Sequence, residues 1–302
     1  MSKMQENFDI LSDRVLDALN KTNLEETRSI LSSIKTPTIV TGVGGSKVVA
    51  VFTSKILASK NGIISTCLEP RDMLYTPLTG YDNVLSCSYS GTNFGVETSF
   101  QNELNKYLLS STRVPNITNI TYDTSLPKEK SFISLAATLI PMTIMLDYYL
   151  DGNDIVPEIL NQDTPLIEAH PVYEIASGID TSSAHTYLES TMLEAGLSIP
   201  IVHDKYSYCH GRSTTSYHNN HSLIYFDKNT ELDRLMLEEL KEYYNKIVIL
   251  KSKYKDPIID DYYLTVRSML LTKSIAEQTN KDLSKVEYSP VVKKLYKYNG
   301  EM

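Results

Sequence analysis

Two turns that combine glycine with hydroxyl side chains are the parts of this sequence best suited to chemistry. The first covers residues 41–46 (Thr-Gly-Val-Gly-Gly-Ser), and the second covers residues 86–93 (Ser-Cys-Ser-Tyr-Ser-Gly-Thr-Asn). Each follows a short apolar run that is typical of a buried strand and leads into a predicted helix. Turns of this kind aim backbone N–H groups and hydroxyls at one point, where they hold a phosphate without lysine or arginine. The pair therefore predicts a site for a phosphorylated small molecule.

The groups that could contact a phosphate in these turns are backbone amides, hydroxyls and one side-chain amide. They belong to Gly44, Ser46, Ser88, Tyr89, Ser90, Thr92 and Asn93. A single turn of this composition is more often only a strand-to-helix connection, because glycine and serine are common there. Two such turns in one region favour ligand binding over that simpler interpretation.

The composition of the chain excludes several classes of protein. With 302 residues, of which 41% are hydrophobic and 22% charged, it is expected to form two domains or one large α/β domain. A net charge of −8 argues against nucleic-acid and anionic-membrane partners. The longest apolar stretch, 132–146, is shorter than the roughly 20 residues that cross a bilayer. Three cysteines without metal-ligand spacing and an N-terminus without a signal-peptide pattern predict a cytoplasmic location.

Strand and helix patterns alternate along most of the chain, after two predicted helices within residues 5–34. The first run has strands at 38–41, 62–66, 83–88 and 116–121 and helices at 46–58, 93–109 and 131–150. A proline-rich acidic segment, 151–171, is predicted to be a linker or partly helical connection. The second run has strands at 172–176, 200–204, 221–226 and 246–251 and helices at 182–195, 231–244 and 260–278.

This alternation predicts an α/β fold in which each parallel sheet is covered by helices on both faces. The predicted units are N-terminal helices (1–35), a first domain (36–152), a second domain (170–281) and a tail (282–302) that folds over the body. In a flavodoxin-like sheet, strands one and three are neighbours, and ligands bind beyond their carboxyl ends. The two turns follow these strands, so we expect both to face one crevice.

The second turn resembles the phosphate-binding motif of the SIS (sugar isomerase) domain family, Ser-x-Ser-Gly-x-Thr. This chain has Ser-Tyr-Ser-Gly-Thr-Asn at 88–93, ending in Thr92-Asn93 where the family has x-Thr. The first turn is similar to the family's glycine-rich opening, whose serine also contacts the phosphate. The resemblance covers nearly the whole chain and looks most like the double-SIS arrangement in the isomerase part of glucosamine-6-phosphate synthase. It implies two SIS-type flavodoxin-like domains, of which the first binds phosphate.

The resemblance also implies catalytic residues in the second half of the chain. Glu194 is similar to the family's glutamate on the first helix of the second domain. His210-Gly211-Arg212 follows sixteen residues later, as the family's His-Gly-Pro-like motif does. Relatives lend this histidine to the neighbouring subunit, which implies a homodimer with a shared active site. The lysine that relatives carry one turn before the glutamate is Thr191 here.

Further residues are candidates for contacts with the sugar. The tail of relatives closes over the sugar and supplies a lysine, which the resemblance assigns to Lys294, with Lys293 as the second choice. Ser134 resembles a family serine that approaches the sugar hydroxyls. Arg212 is interpreted either as a residue that binds a substrate anion or as one partner of a structural salt bridge. Four histidines between residues 203 and 221 lack ligand-like spacing with a carboxylate or cysteine, so we expect no metal and no other cofactor.

The resemblance implies a phosphosugar aldose–ketose isomerase that acts on a hexose or hexosamine 6-phosphate. Such a reaction moves a proton between C1 and C2 through a cis-enediol, and one carboxylate can take and return it. A related amino-sugar-phosphate deaminase would use the same chemistry. A non-catalytic phosphosugar-binding or regulatory protein would need only the phosphate site. Since helical glutamates usually face water, Glu194 owes its catalytic interpretation to its spacing from His210.

Overall fold

The computed structural model describes residues 2–218, 221–285 and 291. Within them, three helices precede the first strand, where the sequence predicted two: α1 (Lys3–Asp9), α2 (Leu11–Lys21) and α3 (Leu24–Ser33). Local capping explains two of the starts. Ser2 accepts a hydrogen bond from the backbone N–H of Gln5, and the Asn23 side chain accepts one from Glu26.

The first sheet is parallel throughout and has the order β2-β1-β3-β4-β5. Its strands are β1 (Thr38–Thr41), β2 (Ser65–Leu68), β3 (Asn83–Cys87), β4 (Asn105–Ser110) and β5 (Thr118–Thr121). Its connections contain α4 (Gly45–Asn61), a short 3-10 helix (Asp72–Leu74), α5 (Phe94–Ser99) and, after β5, α6 (Ala136–Leu150). β1 and β3 pair directly, so the predicted neighbourhood of strands one and three is confirmed.

The predicted helix over 93–109 is wrong. α5 ends at Ser99, and residues 105–110 form β4 in the middle of the sheet. The Asn102 side chain stabilises the turn between α5 and β4. Its amide donates to the Ser99 carbonyl at 2.7 Å, and its oxygen accepts from the Leu104 N–H at 3.0 Å. An asparagine that bonds the backbone on both sides ends a helix as glycine would.

The second sheet is also parallel and has the order β7-β6-β8-β9. Its strands are β6 (Val172–Ser177), β7 (Ile199–Asp204), β8 (Ser222–Asp227) and β9 (Lys246–Lys251). The helical elements of this half are α7 (Val156–Leu160), a 3-10 turn (Ile179–Thr181), α8 (Ser182–Glu194), α9 (Lys205–Ser207), a π turn (Tyr208–Arg212), α10 (Ser213–His218), α11 (Glu231–Leu240) and α12 (Pro257–Gln278). α7 makes the predicted linker partly helical.

Four long helices form a shared layer between the two sheets. α4 packs on the first sheet, and α8 and α12 pack on the second. α6 packs against α4 and α12, and α4 also contacts α8 and α12. The outer face of the first sheet is covered by a smaller apolar cluster around Ile39, Met73 and Val84. The outer face of the second is covered by one that includes Tyr208 and Leu240. The predicted α/β class, with two parallel sheets covered on both faces, is confirmed, while the domain boundaries 36–152 and 170–281 stay predictions.

Candidate active site

The first turn runs from the end of β1 into α4, and its shape depends on glycine. Gly44 has φ +58°, in the left-handed region that a side chain disfavours. A Cβ placed on Gly45 would lie 2.8 Å from Thr138 Oγ1 and 3.0 Å from Ser134 Cβ, so only glycine lets α6 approach this closely. Ser46 lies half-buried in the first turn of α4. The positive end of the dipole of this 17-residue helix therefore points into this end of the sheet. Within the first turn of α4, the N–H groups of Ser46 and Lys47 already donate to the Val43 and Gly44 carbonyls, at 3.2 and 2.9 Å.

The second turn follows β3 and is held in shape by its own side chains. The buried Ser88 hydroxyl accepts hydrogen bonds from the Gly91 N–H and the Asn93 amide, both at 3.1 Å. Asn93 in turn caps α5 by accepting from the Val96 N–H at 3.0 Å. Ser90 stays half-buried and Thr92 exposed. Because α5 has only six residues, a phosphate at this turn would depend on hydroxyls more than on a helix dipole.

Tyr89 packs to one side of the second turn. Its ring lies 6.3 Å from the Tyr122 ring, and the Lys128 ammonium lies 4.8 Å from its centre. Burial raises the pKa of its hydroxyl. These contacts tie Tyr89 to the loop between β5 and α6.

The two turns meet at one edge of the first sheet. β1 and β3 are hydrogen-bonded neighbours, with Thr41 opposite Ser86. A Cβ placed on Gly95, in the first turn of α5, would lie 3.0 Å from Val43 Cγ2 of the first turn. The two turns therefore lie side by side beyond the carboxyl ends of strands one and three, which is where the sequence predicts a ligand crevice.

Glu194, the last residue of α8, reaches the first turn from the second domain. Its Oε1 lies 3.8 Å from the position that a Cβ of Gly44 would occupy. The Ser190 hydroxyl, one turn earlier on α8, donates a hydrogen bond to the same oxygen at 2.7 Å. The carboxylate stands beside the first turn and is exposed to solvent.

Ser134 lies just before α6, because that helix begins at Ala136 and not at the predicted residue 131. Its Cβ faces Gly45 of the first turn, and its hydroxyl oxygen lies 3.3 Å from the Cβ position of Gly45. Glu129, which the sequence analysis missed, caps this region. One of its oxygens accepts from the backbone N–H groups of Leu135 and Ala137, each at 3.2 Å, and burial raises its pKa. A glutamate a few residues before a long apolar helix was the available signal.

Lys47 is a second residue that the sequence analysis missed. It follows Ser46 directly, and its ammonium pairs with Glu69 at 2.8 Å, an interaction that raises its pKa. It provides a cation close to the first turn, in a region where the phosphate motif itself has none.

His210 and Arg212 lie on the π turn that follows β7. Both side chains are exposed, and neither makes a hydrogen bond or ion pair with any other residue that the structure describes. Gly211 between them has φ +103°, and a Cβ there would meet open space. The pair therefore points outward from the second domain.

Lys293 and Lys294 lie outside the described residues. The last described part of the preceding chain does run beside the candidate site. The Leu283 carbonyl accepts from the Ile133 N–H at 3.1 Å, and the Ser284 carbonyl accepts from the Phe132 N–H at 3.2 Å. Leu283 and Ser284 thus lie next to the residues that precede Ser134.

Among the described residues, no group of three or more His, Cys, Asp and Glu side chains is arranged to hold a metal ion. None of the helices in the described ranges is long and apolar enough to cross a membrane.

Comparison with solved structures identifies the fold. The chain is similar to the C-terminal domain of glucosamine-fructose-6-phosphate aminotransferase from Francisella tularensis, with a TM-score of 0.67, 12% identity and coverage of 93% of this chain and 96% of the other. It is similar to tagatose-6-phosphate ketose/aldose isomerase from Escherichia coli, with a TM-score of 0.69, 14% identity and coverage of 96% of each chain. It is also similar to glucosamine-6-phosphate deaminase from Thermotoga maritima, with a TM-score of 0.69, 12% identity and coverage of 95% and 98%.

No family model matches the sequence, and the search of curated proteins found no match. At these identities the likeness establishes a shared fold over nearly the whole chain, which confirms the sequence resemblance at the level of the fold.

Proposed function

We propose that this chain belongs to the SIS family and is a phosphosugar aldose–ketose isomerase that acts on a hexose or hexosamine 6-phosphate. The observation that carries the proposal is the position of Glu194, whose carboxylate lies 3.8 Å from the Cβ position of Gly44. A base from one domain thus stands beside the first phosphate-type turn of the other. The similarity to a ketose/aldose isomerase of nearly equal length supports the same reaction class.

In the proposed reaction, Glu194 takes the proton from C2 of the open-chain aldose. The electron pair of that C–H bond forms the C1=C2 bond of a cis-enediol, and the carbonyl oxygen on C1 gains a proton. Glu194 then returns its proton to C1, while the hydroxyl on C2 loses its proton and becomes the ketone. One carboxylate serves both steps, and no electrons leave the sugar.

The phosphate end of the substrate would bind at the two turns. Ser90, Thr92 and Ser46 would supply hydroxyls, and Gly44 and Gly45 at the start of α4 would supply N–H groups. Ser88 and Asn93 would act mainly by holding the turn, since they already bond each other. Tyr89 would fix the turn from the side. Ser134 would contact a sugar hydroxyl.

His210 would open the sugar ring as an acid–base group in the neighbouring subunit of a homodimer, and Arg212 would contact the substrate there. The support is that both side chains are exposed and lack polar partners within the described part of their own chain. Glu194 is exposed as well, so a single chain leaves the reaction open to water. A partner subunit and the tail, with Lys294 near the developing oxyanion, would close it. Three free cysteines fit the reducing cytoplasm that we propose as its location.

A second reaction deserves testing because a glucosamine-6-phosphate deaminase shares the fold. The deaminase would form the same enediol type of intermediate and release ammonia, whereas a binding protein would do neither. Purified protein should be assayed on hexose and hexosamine 6-phosphates for isomerisation, ammonia release and exchange of the C2 proton with solvent. Isomerisation without ammonia supports the proposal, ammonia release selects the deaminase, and binding without exchange selects the non-catalytic protein.

Removing the Ser90 hydroxyl is expected to weaken binding of sugar phosphates. A hydrogen bond to a charged group contributes roughly 1.5–3 kcal/mol, so Ser90→Ala should raise the dissociation constant roughly 10- to 150-fold. Ser88→Ala should weaken binding too, because two turn hydrogen bonds depend on that oxygen. Calorimetry measures the change. Ser33→Ala is the control, because Ser33 lies at the end of α3, far from the two turns. Unchanged affinity in all three variants would mean that the phosphate does not bind at the second turn.

Deleting residues 286–302 is expected to abolish turnover and leave phosphate binding largely intact. The deletion keeps Leu283 and Ser284 paired with residues 132–133, so the body of the protein should stay folded. It removes the segment proposed to cover the sugar and exclude water. Steady-state kinetics and calorimetry on the same preparation separate the two effects. A truncated protein with full turnover would rule out any part for the tail in the reaction.

A further inference from the structure

Glu174 is a carboxylate inside the outer core of the second domain. It lies on β6, where its neighbours Tyr173 and Ile175 face the helical layer between the sheets, so Glu174 faces the other side. Its side chain has no exposed surface, and the cluster around it contains Ala176 and Leu223. A charge in such a place is costly unless it is paired and hydrogen-bonded.

Four side chains from four different parts of the second domain converge on this carboxylate. His203 of β7 donates from Nε2 at 2.9 Å, and His221, just before β8, donates from Nδ1 at 2.9 Å. Ser216 of α10 donates at 2.7 Å, and Tyr244, before β9, donates at 2.8 Å. Burial by itself would raise the pKa of Glu174, but the four hydrogen bonds outweigh it and lower the pKa to about 2.

The same carboxylate is linked to both ends of a segment, residues 209–215, in which residues 209–212 and 214 are exposed. After the segment, Ser216 binds Glu174 directly. Before it, the Tyr208 hydroxyl donates to Ser216 at 2.9 Å and contacts the Tyr244 hydroxyl at 2.8 Å. The Tyr208 ring also meets the edge of the His203 ring, with 5.3 Å between centres. Tyr208 and Ser216 are both buried.

We infer that Glu174 is a positioning residue for His210: its carboxylate holds Tyr208 and Ser216 together and so fixes the direction in which the segment between them leaves the domain. The inference rests on the proposed function only where it gives His210 a part in the reaction. An apolar core would join the strands at least as well as this network. An apolar core would not bring the Tyr208 and Ser216 hydroxyls to one point, whereas a carboxylate whose hydrogen bonds are all made does so.

The deciding experiment uses Tyr208→Phe, because Glu174→Gln removes a buried charge and can unfold the domain. The phenylalanine keeps the ring packing and removes only the hydroxyl that ties the start of the segment to Ser216 and Tyr244. Amide hydrogen exchange of residues 209–215 should accelerate about 5- to 100-fold, the range expected when a buried polar network loses one partner. Turnover should fall with little change in KM, because the phosphate contacts lie in the first domain.

Tyr173→Phe is the matched control. This tyrosine is also fully buried on β6, and its hydroxyl bonds the Glu168 carbonyl at 2.8 Å on the opposite face of the sheet. It should leave the exchange of residues 209–215 and the turnover unchanged. The inference is overturned if residues 209–215 of Tyr208→Phe exchange their amide hydrogens at the wild-type rate. It is also overturned if their exchange accelerates and turnover stays at the wild-type level, provided that His210→Ala is inactive. If His210→Ala keeps full activity, the part proposed for His210 in the reaction fails instead, and the exchange alone decides whether the segment is anchored.

Discussion

Replacing Glu194 by glutamine is expected to lower turnover by at least ~100-fold while changing sugar-phosphate affinity little. Glutamine keeps the length of the side chain and can still accept the Ser190 hydrogen bond that now reaches Glu194 Oε1. It cannot accept a proton from carbon. The phosphate contacts lie on the turns of the first domain, so binding and chemistry should separate. Steady-state kinetics give the first quantity and calorimetry the second.

Exchange of the substrate's C2 proton with deuterated solvent gives the same prediction an independent measurement. Wild-type protein should incorporate deuterium at C2, and Glu194→Gln should not. Glu189→Gln is the matched control, since Glu189 is an exposed glutamate of the same helix that the proposed reaction does not use. Wild-type protein that binds a sugar phosphate tightly but neither converts it nor exchanges its C2 proton would contradict the enzyme and favour a binding protein.

The proposed shared site sharpens the test of Glu194. If His210 serves the neighbouring subunit, Glu194→Gln and His210→Ala homodimers should both be inactive. A mixed dimer would contain one site with both residues intact, so co-expression of the two variants should restore about a quarter of wild-type turnover in a symmetric dimer. No recovery in a preparation shown to contain mixed dimers would place both residues in the same chain's site.

The pairing of strands one and three and the meeting of the two turns could be predicted because they follow from local patterns and general rules. β1 has the predicted bounds, since four buried residues stand between Pro37 and the glycine turn. Parallel strands joined by helices then put strands one and three side by side. The glycine and hydroxyl turns must follow those strands, so their meeting at one edge needed no knowledge of side-chain packing.

Residues 105–110 show what local patterns cannot decide. Leu104 and Leu108 continue the helical spacing of Phe100, and a short apolar run suits a helix or a buried strand equally. The position of β4 in the middle of the sheet depends on pairing with β3 and β5, which is long-range information. The approach of Glu194 to Gly44 is of the same kind, because it depends on how α8 packs on α4.

Loss of the Lys55 ammonium is expected to be the most destabilising of the changes considered. Lys55 on α4 pairs with Asp261 on α12 at 2.6 Å and donates to the Asp180 carbonyl at 3.0 Å. The Asp261 carboxylate is fully buried and also accepts from the backbone N–H groups of Ser183 and Ala184, which begin α8. Lys55→Met leaves this charge unpaired, which costs about 3–5 kcal/mol of unfolding free energy. Urea unfolding followed by circular dichroism measures the loss.

Two further variants show whether the unpaired charge is the cause. Asp261→Asn in the Lys55→Met background removes the charge and keeps one oxygen for the α8 N–H groups, so it should recover part of the lost stability. Lys253→Met breaks an ion pair with Glu158 in which both side chains are exposed, and water already screens those charges, so its unfolding midpoint should stay close to that of the wild type. An equally small shift for Lys55→Met would mean that the three helices are joined by apolar packing alone. A double variant less stable than Lys55→Met would mean that Asp261 acts through its hydrogen bonds to α8 and not through its charge.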